Sequence, residues 1–174
     1  MSILSRLRLL LVPLVAALAL AGATGAAAAP PSPASGTLTY TSSTFNSTRT
    51  AGGNLIADLS ATVAYTGTFN GTSSLHGTLI LHPDGTASAH DVETFTGTVT
   101  VDGVSHTGTV TFALNGGSPP TTGSVLLFDA TDTIISATDG LAGLHGVLSE
   151  VGTVPDPAVG PVGTYTGQVL FGGP

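Results

Sequence analysis

Apolar and hydroxyl-bearing side chains alternate along most of this chain, the period-two pattern of strands with one buried face. The alternation is clear at residues 37–41, 95–101, 108–114 and 165–171, and residues 55–69 hold one long strand or two joined near Asp58 to Ser60. Shorter apolar runs at 79–81, 125–128, 133–136 and 146–151 complete a set of eight or nine segments. Between them stand His82-Pro83-Asp84-Gly85, Asp102-Gly103 and Asn115-Gly116-Gly117. Asp-Gly and Asn-Gly pairs supply the positive φ angles of tight hairpins, and Pro-Asp-Gly reverses the chain. No stretch has a helical period. The pattern predicts an all-β, antiparallel barrel of about eight strands, with a sandwich as the alternative.

Parity assigns the faces. Phe95, Gly97, Val99 and Val101 point one way and Thr96, Thr98 and Thr100 the other. Gly108, Val110, Phe112 and Leu114 share a face, as do Tyr165, Gly167, Val169 and Phe171. An aromatic-Thr-Gly phrase recurs at Tyr65, Phe95 and Tyr165, with an echo at Thr107-Gly108-Thr109. Glycine on an inward face weakens a strand unless a bend or a close approach of backbone requires it. A closed barrel supplies that requirement more readily than a sandwich, so the glycines favour the barrel.

The first 29 residues read differently. Arg6 and Arg8 precede an apolar run from Leu9 to about Ala21, and Ala26 to Ala29 follow before Pro30. A basic start, an apolar middle and an Ala-x-Ala site make a general secretory signal peptide. The run is short of the roughly 20 residues a membrane span needs. Residues 1–29 are thus the expected signal peptide, 30–36 a linker containing Pro31 and Pro33, and 37–174 the barrel. Localisation is expected to be extracellular or in the cell envelope.

Cleavage there leaves Arg49 as the single basic residue against ten acidic ones, with no lysine. So acidic a chain repels nucleic acid and anionic lipid, which sets aside nucleic-acid binding and, once the signal peptide is gone, membrane association. There is no cysteine, so the sheet and its core must hold the fold without disulfides.

Several glycine phrases resemble those of a bacterial family of unknown function with the allene-oxide-cyclase-like, calycin-type barrel. They are Gly67 to Ser73, Asp84-Gly85, Glu93 shortly before Thr96-Gly97-Thr98, and Leu141 to Gly146. The resemblance spans residues 55–171, and it departs from the family at Ser136-Ala137-Thr138-Asp139-Gly140, where a Ser-Gly-Thr-Gly phrase is usual. It implies an eight-stranded barrel whose interior holds a small apolar molecule. It carries no established activity, and nothing here matches the catalytic positions of allene oxide cyclases.

No catalytic motif is present: no Gly-x-Ser-x-Gly elbow, no cysteine nucleophile, no nucleotide loop. Catalytic residues are unknown on this reading and no enzyme assignment follows. The candidate ligand-binding residues are the inward Val99, Val110, Phe112, Val169 and Phe171, with Glu93 and His106 orienting a polar end. Glu93 shares parity with Phe95, and a buried, unpartnered carboxyl has a raised pKa. His106 ends the row of Gly108, Val110 and Phe112, which would set an imidazole beside Glu93. His76, His82, His90 and His145 lack metal-ligand spacing, and Asp129, Asp132 and Asp139 lack a Ca²⁺ loop pattern, so no metal and no cofactor is expected. The expected function is binding of a small, mainly apolar molecule. A cofactor-free cyclase or isomerase and a filled, structural envelope barrel are the alternatives.

Overall fold

The computed structural model describes residues 30–120, 126–154 and 160–172. The expected signal peptide lies outside them. Eight strands run in order as β1 (Ser32–Ala51), β2 (Asn54–Gly67), β3 (Phe69–Leu81), β4 (Ala87–Val101), β5 (Val104–Ser118), β6 (Leu126–Asp139), β7 (Leu144–Val154) and β8 (Val162–Phe171). Each pairs antiparallel with the next, and β1 closes the ring against β8. The fold is therefore a closed up-and-down barrel, and the sandwich is ruled out. Closure gives β1 a second partner from Ser32 to Thr39, and beyond it Ser42 to Ala51 pair with β2 alone.

The turn signals work as read at two places. Asp102 and Gly103 have φ of 51° and 78°, the two positive angles of a type I′ hairpin. His82-Pro83-Asp84-Gly85 reverses the chain between β3 and β4, with Thr86 donating its N–H and hydroxyl to Asp84. Asn115-Gly116-Gly117 is not a turn. It continues β5, pairing with His90, Ala89 and Ser88 on one side and Thr131, Ala130 and Asp129 on the other. The expected linker also belongs to the barrel: Ser32 to Gly36 pair with Val169 to Tyr165 of β8. Prolines misled there, because Pro33 lies in a stretch that pairs with β8 alone, where a missing N–H costs no ladder bond. Of the run at 125–128, Leu126 to Phe128 join 133–136 in one strand, β6, with Val125 outside the described residues, and residues 55–69 divide only at the β2–β3 turn.

Inward and outward faces follow parity. Inside, the barrel has two unlike halves. At the end formed by the β2–β3, β4–β5 and β6–β7 turns, Phe69 sits at the centre of a ring cluster. Its centroid lies 5.4 Å from Phe95, 5.7 Å from Phe112 and 5.9 Å from Tyr165. Val99, Val110, Leu144, Leu148 and Val169 pack around these rings, and Leu141 plugs the end from the β6–β7 turn. We call this the closed end. Glycines make room for the rings on the wall: a Cβ on Gly97 would lie 2.7 Å from the Phe95 ring and 2.4 Å from the Asn70 carbonyl. The expectation of close backbone approach at inward glycines is met there.

Tyr165 ties the closed end together. Its hydroxyl accepts from the Phe69 N–H at 2.8 Å and donates to the Thr66 carbonyl at 3.0 Å, spanning the β2–β3 turn. Removing that hydroxyl strands a buried N–H, a cost of about 1–3 kcal/mol. Tyr165→Phe is expected to lower the urea midpoint accordingly with the m-value unchanged. A midpoint equal to wild type would show that the turn finds another acceptor.

Candidate functional site

The other end of the barrel, bounded by the β1–β2 and β3–β4 turns, is not filled. It holds a cavity of about 190 Å³ walled largely by aliphatic side chains, among them Leu59, Leu79, Leu81, Ala89, Leu114 and Ala130. Tyr40 and Phe128 add aromatic surface. The side chains that β2, β3 and β5 present here are small or aliphatic where Phe69, Phe95 and Phe112 fill the closed end, and the difference in volume is what leaves the space.

Below the cavity the barrel carries a belt of acids. Asp91 and Glu93 come from β4, Asp132 from β6 and Glu150 from β7, all buried and all on inward positions of their strands. Asp91 and Glu150 reach the cavity wall, with the exposed Asp129 at its rim. Polar neighbours from the wall meet part of the belt. Tyr65 donates its hydroxyl to Glu150 Oε1 at 3.0 Å, and Ser73 donates to Glu93 Oε1. Among the described residues no donor reaches Asp91 Oδ1 or either oxygen of Asp132.

Desolvation dominates the titration of this belt. Burial, reinforced by the Glu150 carboxylate, pushes Glu93 up to about 7. Asp91 rises to about 6, burial outweighing the opposing pull of His90 and the Thr78 N–H. Asp132 is pushed well up by burial and then by Glu150, and Glu150 is itself raised by burial. The carboxyls of Asp132 and Glu150 interact, so ionising one disfavours ionising the other. Tyr40 and Tyr65 are pushed well up by burial and by these acids, so their hydroxyls stay protonated. Among the described residues Arg49, exposed on β1, is the one Lys or Arg, so no basic side chain neutralises the belt from within.

The sequence-derived candidates divide between the two ends. Glu93 points inward, 1% exposed, with Ala87 to Val92 of β4 preceding it on the way from the turn. His106 does not meet it. Glu93 pairs with Phe112 and His106 with Val99, six residues apart along β4 and so about 20 Å at 3.3 Å per residue. The His106 ring instead lies against Phe171, 4.6 Å between centroids, at the closed end. Val99, Val110, Phe112 and Val169 are fully buried in the aromatic packing, with Phe171 against it. They fill the barrel and do not line its cavity.

Among the described residues the histidines do not converge on one another, and His76 lies 3.7 Å from the partly exposed Asp58 rather than in the barrel. His82 bonds to Asn54 and Ser88, His90 to Asn115, and His76 to Ser60. Among the described residues no three His, Cys, Asp or Glu side chains are placed to hold a metal ion. Asp129 and Asp139 are exposed, whereas Asp132 is wholly buried.

No family model matches this chain, and no curated protein does. Among solved structures it is similar to a protein of unknown function from the DUF3224 family of Shewanella oneidensis MR-1. The TM-score is 0.54 at 14% identity, over 83% of this chain and 100% of that one. The likeness carries the fold, a barrel shared with a protein of unknown function. It does not carry the expected likeness to allene oxide cyclases.

Proposed function

We propose that the protein is a secreted barrel that binds a small, mainly apolar molecule in its open-end cavity. The observation that carries this is the contrast within one barrel: aromatic rings fill the closed end, while aliphatic walls at the open end surround about 190 Å³ of space. A merely structural barrel of eight strands has side chains enough to fill itself. A concave, apolar pocket with a few convergent polar groups is the usual form of a small-molecule site. An engineered apolar cavity of about 150 Å³ accepts benzene, so the space here suits one ring with a short substituent. Export rests on the signal-peptide features of residues 1–29, and the threonine-covered outer face suits a barrel surrounded by water. The glycine phrases shared with allene-oxide-cyclase-like barrels support the same interior, without extending to cyclase activity.

Benzyl alcohol is a suitable probe. In ¹³C-methyl spectra it is expected to shift Leu59, Leu79 and Leu114 and to leave Val99, Val110 and Val169 in place. Ala89→Phe, which puts a ring into the cavity, is expected to abolish those shifts while the protein stays folded. Shifts confined to the closed end, or unchanged by Ala89→Phe, would overturn the site.

A further inference from the structure

Resting on that reading of the cavity, we propose that its ligand is an organic amine, with an apolar body among the leucines and a protonated nitrogen directed at Asp91 and Glu150. Three observations point to that chemistry. The first is an acceptor without a donor. Asp91 is 8% exposed, lines the cavity, and leaves Oδ1 unpartnered. Its position is built rather than incidental. Gly77 faces Asp91 across the β3–β4 ladder, and a Cβ there would lie 1.9 Å from that oxygen. The glycine keeps the carboxylate room on the wall.

The second observation is charge. Four carboxyls are buried in one layer, and among the described residues no Lys or Arg lies within the barrel. Burying a charge without a partner is costly, and the cost falls when a cation arrives with its own donors. Asp129 at the rim extends the same sign of charge to the entrance, where it raises the local concentration of cations.

The third observation separates an organic cation from a metal ion. Among the described residues no three potential ligands converge, and the rest of the wall is largely apolar, whereas Ca²⁺ takes six to eight oxygens. An ammonium group has three donors, enough for the carboxylates of Asp91 and Glu150 together. Tyr40 and Phe128 stand in the same wall, and aromatic rings within about 6 Å of a cation attract it. An anionic head would meet only carboxylates.

Three probes of one shape test this by calorimetry at pH 7: benzylamine, benzyl alcohol and benzoate. Benzylamine is expected to bind at least about ten-fold more tightly than benzyl alcohol, the order of a charge-assisted hydrogen bond, and benzoate not measurably. Asp91→Asn is expected to bring benzylamine down to the level of the alcohol without weakening the alcohol, and Glu150→Gln to weaken benzylamine alone. Benzyl alcohol binding as tightly as benzylamine to the wild-type protein would overturn the amine and leave the apolar site standing. So would an Asp91→Asn variant that folds and still prefers the amine. No heat from benzylamine and none from benzyl alcohol would remove the site itself, and the amine with it.

Discussion

The melting temperature is expected to fall as pH rises from 5 to 8, by several degrees per unit, the reverse of the usual behaviour of paired carboxylates. The sign follows from the buried belt. A carboxyl whose folded pKa exceeds its unfolded value makes the folded state bind more protons, and stability then declines with pH. Glu93 does so between about 4.5 and 7, and Asp91 between about 3.8 and 6. Asp132, raised by burial and by Glu150, extends the trend in the same direction. One extra bound proton corresponds to about 1.4 kcal/mol per pH unit. For a domain of this size that is about 3–6 °C per unit. Below about pH 4 the unfolded chain takes up protons as well and the slope disappears.

Two controls identify the source. Glu93→Gln mimics the protonated side chain, so it should match wild type at pH 5 and melt higher at pH 8. In 1 M salt, where screening acts within about 3 Å, repulsion among surface acids is suppressed while desolvation inside the barrel persists. A slope that vanishes in salt would assign the effect to the surface. A slope that survives salt but is the same in Glu93→Gln would remove Glu93 from its causes.

Parity along single strands made much of this barrel legible. Phe95, Val99, Val110, Phe112, Tyr165 and Val169 point inward as their alternation requires, and the same rule turned Glu93 inside. Asp91, two residues before Glu93, obeys it too and needed only the strand to begin at Ala87 rather than near Thr94. Asp132 carried the same signal in Asp132-Thr133-Ile134, yet it stood among Asp129 and Asp139 in what reads as a loop. What alternation within one strand cannot show is height. Glu150 meets Tyr65 and Asp132 through registers accumulated across β6, β7, β8, β1 and β2. That is why His106 was set beside a carboxyl that lies far along the strand. Glycine hid the strand ends for a related reason. A glycine that marks a turn and a glycine that admits a neighbour onto the wall are the same letter, and Gly77 and Gly116 are of the second kind.

Phe69→Ala is expected to cost about 3–5 kcal/mol, the largest loss from any single truncation considered, because it empties the centre of the closed end. Phe69 is 0% exposed and meets three rings, two of them edge to face, and each such pair adds about 0.5–1.5 kcal/mol beyond burial. Relaxation into the space is hindered, since Phe95 and Tyr165 rest on wall glycines, Gly97 and Gly36, whose backbones they already touch. Against a total stability of about 5–15 kcal/mol, the loss is a large share, and urea unfolding should show it directly. Phe171 packs from the rim of the same cluster and is half-buried, so Phe171→Ala should cost clearly less. The division of labour in the barrel makes a second expectation. At a temperature where Phe69→Ala is still folded, its affinity for benzylamine should equal that of wild type, because the ring lies beyond the acid belt from the cavity. If affinity falls in step with stability, the two ends are one cooperative unit and the closed end shapes the site as well as holding it.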